Sequence, residues 1–128
     1  MKKFLCVYIL LAIATGMQAQ NNSPFAPVMK LDTNQHNYGT IRQGADGKCE
    51  FKFTNTGRDP LIIEKIETPC ACVVTEWPKK AIRKGKTGII KVEYYTKRPG
   101  SINKTLVVIS NASEEKTELK LIGNVEIQ

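Results

Sequence analysis

Two cysteines flank a single alanine at Cys70-Ala71-Cys72, and a third, Cys49, stands well before them. Thiols at that spacing can pack, bridge, hold a metal or exchange electrons. In an extended strand residues i and i+2 share a face, so both sulfurs would point to one side, with Cα atoms about 6.6 Å apart. A disulfide prefers about 5.5–6 Å and reaches its limit near 6.8 Å. A 70–72 bridge in extended chain would therefore be strained. A tight turn at residue 71 would relieve it, though Ala71 makes that turn less readily than glycine. An oxidising compartment would favour a bridge, either from Cys49 to Cys70 or Cys72 or within the 70–72 pair. Two thiolates on one face suit Cu(I) or zinc, but a closed zinc site takes four ligands and the one histidine is His36. Cys70 and Cys72 are thus weak metal candidates, and no cofactor is implied. A redox thiol usually needs a helix N-terminus or a nearby cation to stabilise its thiolate, and no such helix is legible. The plainest alternative is that all three are small apolar side chains, with Cys49 in the core beside Phe51. A thiol role requires the Cys70 and Cys72 sulfurs to be exposed and close, with a cation nearby.

A second candidate surface is the loop PKKAIRKGK (78–86), which carries Lys79, Lys80, Arg83, Lys84 and Lys86 next to Trp77. Five cations so close together could grip a glycan or an acidic polymer, with Trp77 stacking on a sugar. The competing reading is a solvated loop with Trp77 filling the end of the fold. Nothing resembles an active site. A single histidine leaves any nucleophile–histidine arrangement dependent on His36, no glycine-rich phosphate loop joins a strand to a helix, and the carboxylates are scattered. The expectation is a protein that is not an enzyme.

The elements that must position these residues begin after a leader. The stretch MKKFLCVYILLAIATGMQAQ has a basic start, an apolar run and a small, polar end, the layout of a secretory signal peptide. Its apolar run is too short to span a bilayer. Cleavage after Ala19 is favoured, although Gly16 also fits. Cys6 lies too deep in the apolar run to be a lipidation site. Residues 1–19 are therefore expected to be removed, 20–29 to form a flexible leader, and 30–128 to fold as one domain. No later apolar run would anchor the chain, so no transmembrane segment is expected. Export, to the periplasm or outside the cell, argues against a nucleic-acid partner. Loss of Lys2 and Lys3 lowers the formal charge from +7 to +5. Loss of Cys6 leaves three cysteines, so at least one thiol stays unpaired in the monomer.

The domain reads as short strands between turns. Met29-Lys30-Leu31 and His36–Ile41 look like edge pieces. In KCEFKFTN, Cys49, Phe51 and Phe53 alternate with polar residues at the period of a half-buried strand. Gly44–Gly47, NTGRDP (55–60), KRPGS (97–101) and NASEEK (111–116) are turn signals. LIIEKIE (61–67), CACVVTEW (70–77) and IIKVEYY complete the middle of the chain, with Ile90, Val92 and Tyr94 on one face. KTLVVIS (104–110) is apolar on both faces, suggesting a strand covered on both sides. In ELKLIGNVEI, Leu119, Leu121, Val125 and Ile127 face inward, and Gly123 among them suggests a bulge or close backbone approach. Seven to eight strands at this spacing predict an all-β, immunoglobulin-like antiparallel β-sandwich. In FTNTGRDPL, Phe51 and Phe53 anchor a sheet and Asn55 bonds nearby backbone. Gly57 permits positive φ, and Pro60 fixes the exit. Turn chemistry alone explains the last three, and all five are read as structural.

Three stretches together resemble an exported bacterial family known only as a domain of unknown function, number fifteen seventy-three. They are Tyr38-Gly39-Thr40-Ile41, the run Phe51–Gly57 with Pro60-Leu61, and Cys70-Ala71-Cys72. The family's pattern is Phe-Gly-x-Ile/Val, then Phe-x-Phe-x-Asn-x-Gly-x-x-Pro-Leu, then Cys-Gly-Cys. It is similar to the immunoglobulin-like domains of major sperm protein, of pilus chaperones and of cilia-associated ASPM–SPD-2–hydin proteins. The resemblance covers about residues 30–126, with Tyr38 in place of Phe and Ala71 in place of Gly. It implies the sandwich and export, and no activity. The expected function is a non-catalytic interaction or structural module of the cell envelope, its partner an unknown protein or envelope component. Such sandwiches can bind by adding a peptide strand to an open sheet edge. The alternatives are the thiol role and the glycan or polymer role above.

Overall fold

The computed structural model of the protein describes residues 24–127; the expected signal peptide and the leader up to residue 23 lie outside them. Eight strands follow in chain order: β1 Met29–Leu31, β2 Gln35–Arg42, β3 Lys48–Asn55, β4 Ile63–Glu67, β5 Val73–Glu76, β6 Thr87–Tyr94, β7 Gly100–Ser110 and β8 Lys116–Glu126. They form two four-stranded sheets, ordered β1-β3-β6-β5 and β2-β8-β7-β4. The β-sandwich expected from the sequence is the fold of the described chain.

β3 and β6 alternate buried and exposed residues along their whole length, because successive side chains of a strand leave opposite faces. Phe51, Phe53, Ile90 and Val92 from the first sheet meet Leu106, Val108, Leu119 and Leu121 from the second in one buried cluster. Apolar area removed from water there is the main source of stability. Gly88 stands opposite Phe53 in the β3–β6 register, and a Cβ on it would run into the Phe53 ring.

Several local expectations change. The β2–β8 ladder is parallel, with Gln35 opposite Lys120 and Arg42 opposite Glu126, whereas every other pair is antiparallel. A register shift interrupts it between Asn37 and Thr40. Gly39, at φ 64°, makes this bulge, and its N–H donates to the Asn37 side chain at 2.8 Å. Gly123 answers across the ladder with φ 152°. A Cβ there would stand 2.9 Å from the Gly39 carbonyl oxygen, so the close approach expected at Gly123 is present. β7 lies inside its sheet, but Val107 and Ile109 are only half-buried, so it is covered on one face rather than two. Ile127, expected inward, is 77 % exposed because β8 ends before it.

The described part of the expected leader is tied to the sandwich. Asp59 N–H donates to the Phe25 carbonyl at 2.8 Å, Ser113 to Pro27 at 2.9 Å and Thr56 to Val28 at 3.0 Å. Gly57 is needed for this. Its φ is not positive, against expectation, but a Cβ on it would strike the backbone of Ala26 and stand 2.7 Å from Pro27.

Candidate functional site

β4 is an edge strand of one sheet and β5 an edge strand of the other. The chain crosses between them through residues 68–72, which form a turn and not the extended piece expected from residue 70 onward. This turn brings Cys70 and Cys72 together as a disulfide with Cα atoms 5.2 Å apart, a little under the commonest separation but within the span of about 4.4–6.8 Å usual for a bridge. Ala71 makes the turn without positive φ, a conformation confined among the described residues to glycines. The alanine is therefore no obstacle to the bridge. The Cys72 carbonyl accepts from Tyr95 N–H at 2.8 Å, which carries the β5–β6 pairing one residue past β5, while the Cys70 carbonyl accepts from Val73 N–H at 3.5 Å.

Both cysteines are half-buried and Ala71 is exposed. They line a groove of about 390 Å³ together with Tyr94, Tyr95, Arg98 and Lys104. Tyr94 is buried and Tyr95 is 53 % exposed. Arg98 sits on the exposed β6–β7 turn, and Lys104 is a half-buried residue of β7. The groove lining carries two cations and no carboxylate. The two cysteines are close together and share the groove with two cations, but they are half-buried rather than exposed, as a thiol role would ask. The bridge itself is a weak staple: closing so short a loop removes about 1.6 kcal/mol of unfolded-chain entropy, against about 3 kcal/mol for a fifteen-residue loop.

Cys49 takes no part in this site. It is a free, buried thiol on β3, and burial pushes its pKa up, opposed by a hydrogen bond from Tyr38. The Tyr38 hydroxyl donates to the Gly47 carbonyl at 2.7 Å and lies 3.5 Å from the Cys49 sulfur. Burial and these neighbours raise the pKa of Tyr38 well above that of a free phenol. His36 stands edge-on to the Tyr38 ring, centroids 4.5 Å apart. Among the described residues, no three His, Cys, Asp or Glu side chains are grouped to share a metal ion. Bridged cysteines also offer no thiolates to one.

The basic loop lies at the other end of β5. Lys79, Lys80, Arg83, Lys84 and Lys86 are all exposed. The loop is pinned by an isolated bridge in which Leu61 and Ile82 exchange 2.8 Å backbone bonds. Asn55 pins it as well. Fully buried, its amide donates to the Asp59 and Ile82 carbonyls at 2.8 and 2.9 Å, while its oxygen accepts from Gly57 and Val28 at 3.0 and 3.2 Å. Trp77 packs half-buried against the core. Its indole N–H is buried without an acceptor, and Lys79 Nζ stands 3.1 Å from the ring centroid. A cation therefore lies over one face of the ring. Pro60 marks the chain's exit toward β4; its carbonyl accepts from Asn111 at 3.1 Å, and the Asn111 oxygen accepts from Ile62 N–H at 2.7 Å.

Sequence reasoning found the cysteines and missed Tyr94, Tyr95, Arg98 and Lys104. Pairing of CACVVTE against IIKVEYY would have placed Cys72 opposite Tyr95. The approach of Lys104 depends on β7 crossing in the second sheet, which no local pattern announces.

Residues 29–125 match the model of a family described as "Protein of unknown function (DUF1573)". No curated protein sequence matches the chain. Among solved structures, a protein of unknown function from Porphyromonas gingivalis W83 is similar over 80 % of this chain and 49 % of its own, with a TM-score of 0.69 and 16 % identity. The chain thus spans about half of that protein's length. The ASH/PapD-like domain 7 of human CEP192 is similar over 92 % of this chain and 98 % of its own, with a TM-score of 0.68 and 8 % identity. The secreted serine protease VesC of Vibrio cholerae shares the fold over 83 % of this chain but 24 % of its own, at TM-score 0.57 and 10 % identity. At such identities these likenesses concern the fold alone.

Proposed function

We propose that this chain, which belongs to the DUF1573 family of proteins of unknown function, is an exported, non-catalytic interaction module of the cell envelope that takes up an extended segment of a partner protein along the open edge of β5. The leader-like N-terminal sequence supports export. Immunoglobulin-like sandwiches can bind peptides by strand addition, a fold-level analogy.

The observation that carries the reading is how differently the four sheet edges are guarded. Exposed edges invite pairing, and proteins blunt them with brevity, bulges and charge. β1 has three residues and an exposed lysine. β2 is broken by the Gly39 bulge. β4 has a register shift after Ile63 and exposes Glu64, Lys65 and Glu67, with Lys65 Nζ 3.5 Å from Glu67. β5 has an unbroken register and the β-branched run Val73-Val74-Thr75, with Val74 65 % exposed. Four residues offer only a short ladder, so the partner's side chains would have to add contacts, for which the adjoining groove is placed.

The test is selection of extended peptides from a displayed random library, followed by backbone amide shift mapping. Shifts concentrated in Val73–Glu76 are expected. Val74→Lys, which sits opposite Glu93 and so suits the folded state, should weaken binding at least about tenfold by charging the edge. Shifts centred elsewhere, or binding indifferent to that change, would discard the edge.

A further inference from the structure

We propose that the Cys70–Cys72 disulfide is an exchangeable redox centre, reduced by a protein dithiol that enters the groove, with Lys104 and Arg98 stabilising the thiolate that leaves. This stands independently of strand addition at β5.

The bridge is built where exchange is possible. Its two half-buried cysteines line a groove open to solvent, and access of the attacking thiolate is one of the things that sets the exchange rate. The bridge is also dispensable to the fold: the buried cluster is made by other side chains, against which Cys70 and Cys72 pack only from its margin. A three-residue loop restrains the unfolded chain little.

The groove also supplies what a departing thiolate needs. Two cations lower a thiol pKa, and no carboxylate in the lining opposes them. Neither cation is engaged elsewhere by an ion pair; the one ion pair within 4.0 Å among the described residues joins Lys65 and Glu67. The Cys72 carbonyl is held to β6 by the Tyr95 N–H at 2.8 Å, while the Cys70 carbonyl accepts from the Val73 N–H at a longer 3.5 Å. The turn can therefore open on the Cys70 side without disturbing the sheet.

The chemistry is thiol–disulfide exchange. A thiolate of the partner attacks one sulfur of the bridge, forming a mixed disulfide and releasing the other cysteine as thiolate beside Lys104 and Arg98. The partner's second thiol, as thiolate, then attacks the mixed disulfide. The partner leaves oxidised, and this protein keeps two thiols. Two electrons pass, and the two protons come from the partner's thiols.

The experiment uses the folded full chain and reduced glutathione as the probe, with acid quench, thiol alkylation and mass analysis. The 70–72 pair should be reduced completely by excess glutathione while circular dichroism stays native and Cys49 stays slow to alkylate. Lys104→Gln with Arg98→Gln should slow reduction about threefold or more. The same changes should move the alkylation pH profile of the reduced pair upward by about one unit. Arg98→Gln alone, on an exposed turn, should show a smaller shift in the same direction and keeps the test open if the double variant is unstable. A bridge that resists glutathione until the protein unfolds would overturn the proposal. So would rates and pH profiles that coincide between the variants and the parent.

Discussion

The side-chain amide of Asn55 donates to the backbone carbonyl of Ile82 at 2.9 Å, joining the end of β3 to the middle of the basic loop. Three further bonds from the same amide reach Val28, Gly57 and Asp59. One buried side chain thus fixes three segments at this end of the sandwich. Asn55→Ala would leave two donors and two acceptors without it, at a cost of about 3 kcal/mol. The loop should loosen as well, so trypsin should cut at Arg83 or Lys84 faster than in the parent under native conditions. Unchanged proteolysis together with a loss below about 1 kcal/mol in denaturant titration would show the amide to be incidental.

Phe53 is fully buried, and its ring occupies the space left by the missing side chain of Gly88. Phe53→Ala should cost about 3–5 kcal/mol. Gly88→Ala should also destabilise, by forcing its methyl group into the ring. The combination Phe53→Leu with Gly88→Ala should cost less than the two changes added, since the smaller side chain makes room. Strict additivity in denaturant titrations would mean the two positions do not share that space.

Tyr38 and Cys49 give the protein an alkaline limit. Both pKa values are raised by folding. Above the ordinary thiol pKa near 9.0, the unfolded chain releases protons that the folded chain still holds, so ionisation stabilises the unfolded state. This contribution is fully present below that pH and is lost as pH rises beyond it. Stability should therefore fall from about pH 9 upward, and Cys49→Ala should soften that fall, leaving the tyrosine contribution above about pH 10. Melting temperatures across pH 7–11 would show it, and identical pH curves for parent and variant would refute the assignment to Cys49.

Strand β3 was legible because its alternation is local: Cys49, Phe51 and Phe53 bury themselves at period two from Lys48 to Asn55. The corner after it was legible in residue type but not in cause. Gly57 serves a backbone approach at Ala26 and Pro27 rather than a special φ, and that neighbour comes from the leader. Likewise the 70–72 turn was hidden because strand-like composition runs through CACVVTE without a break. The parallel pairing of β2 was equally invisible, since its hydrogen bonds depend on where β8 comes to lie.

That parallel ladder has a bearing on how the molecule is assembled. Among the described residues β2 has β8 as its sole neighbour in the sheet, and Gln35 must find Lys120. A ribosome delivering the chain from its N-terminus would hold β2 without a mate while β3 through β7 emerge. Closure waits for the arrival of β8, which locks the early segment into place. The fold thereby makes the completeness of the polypeptide a condition of its own compaction: a product cut short before Lys116 would lack the strand that β2 requires, and would betray itself to proteases by that exposed, unmated edge.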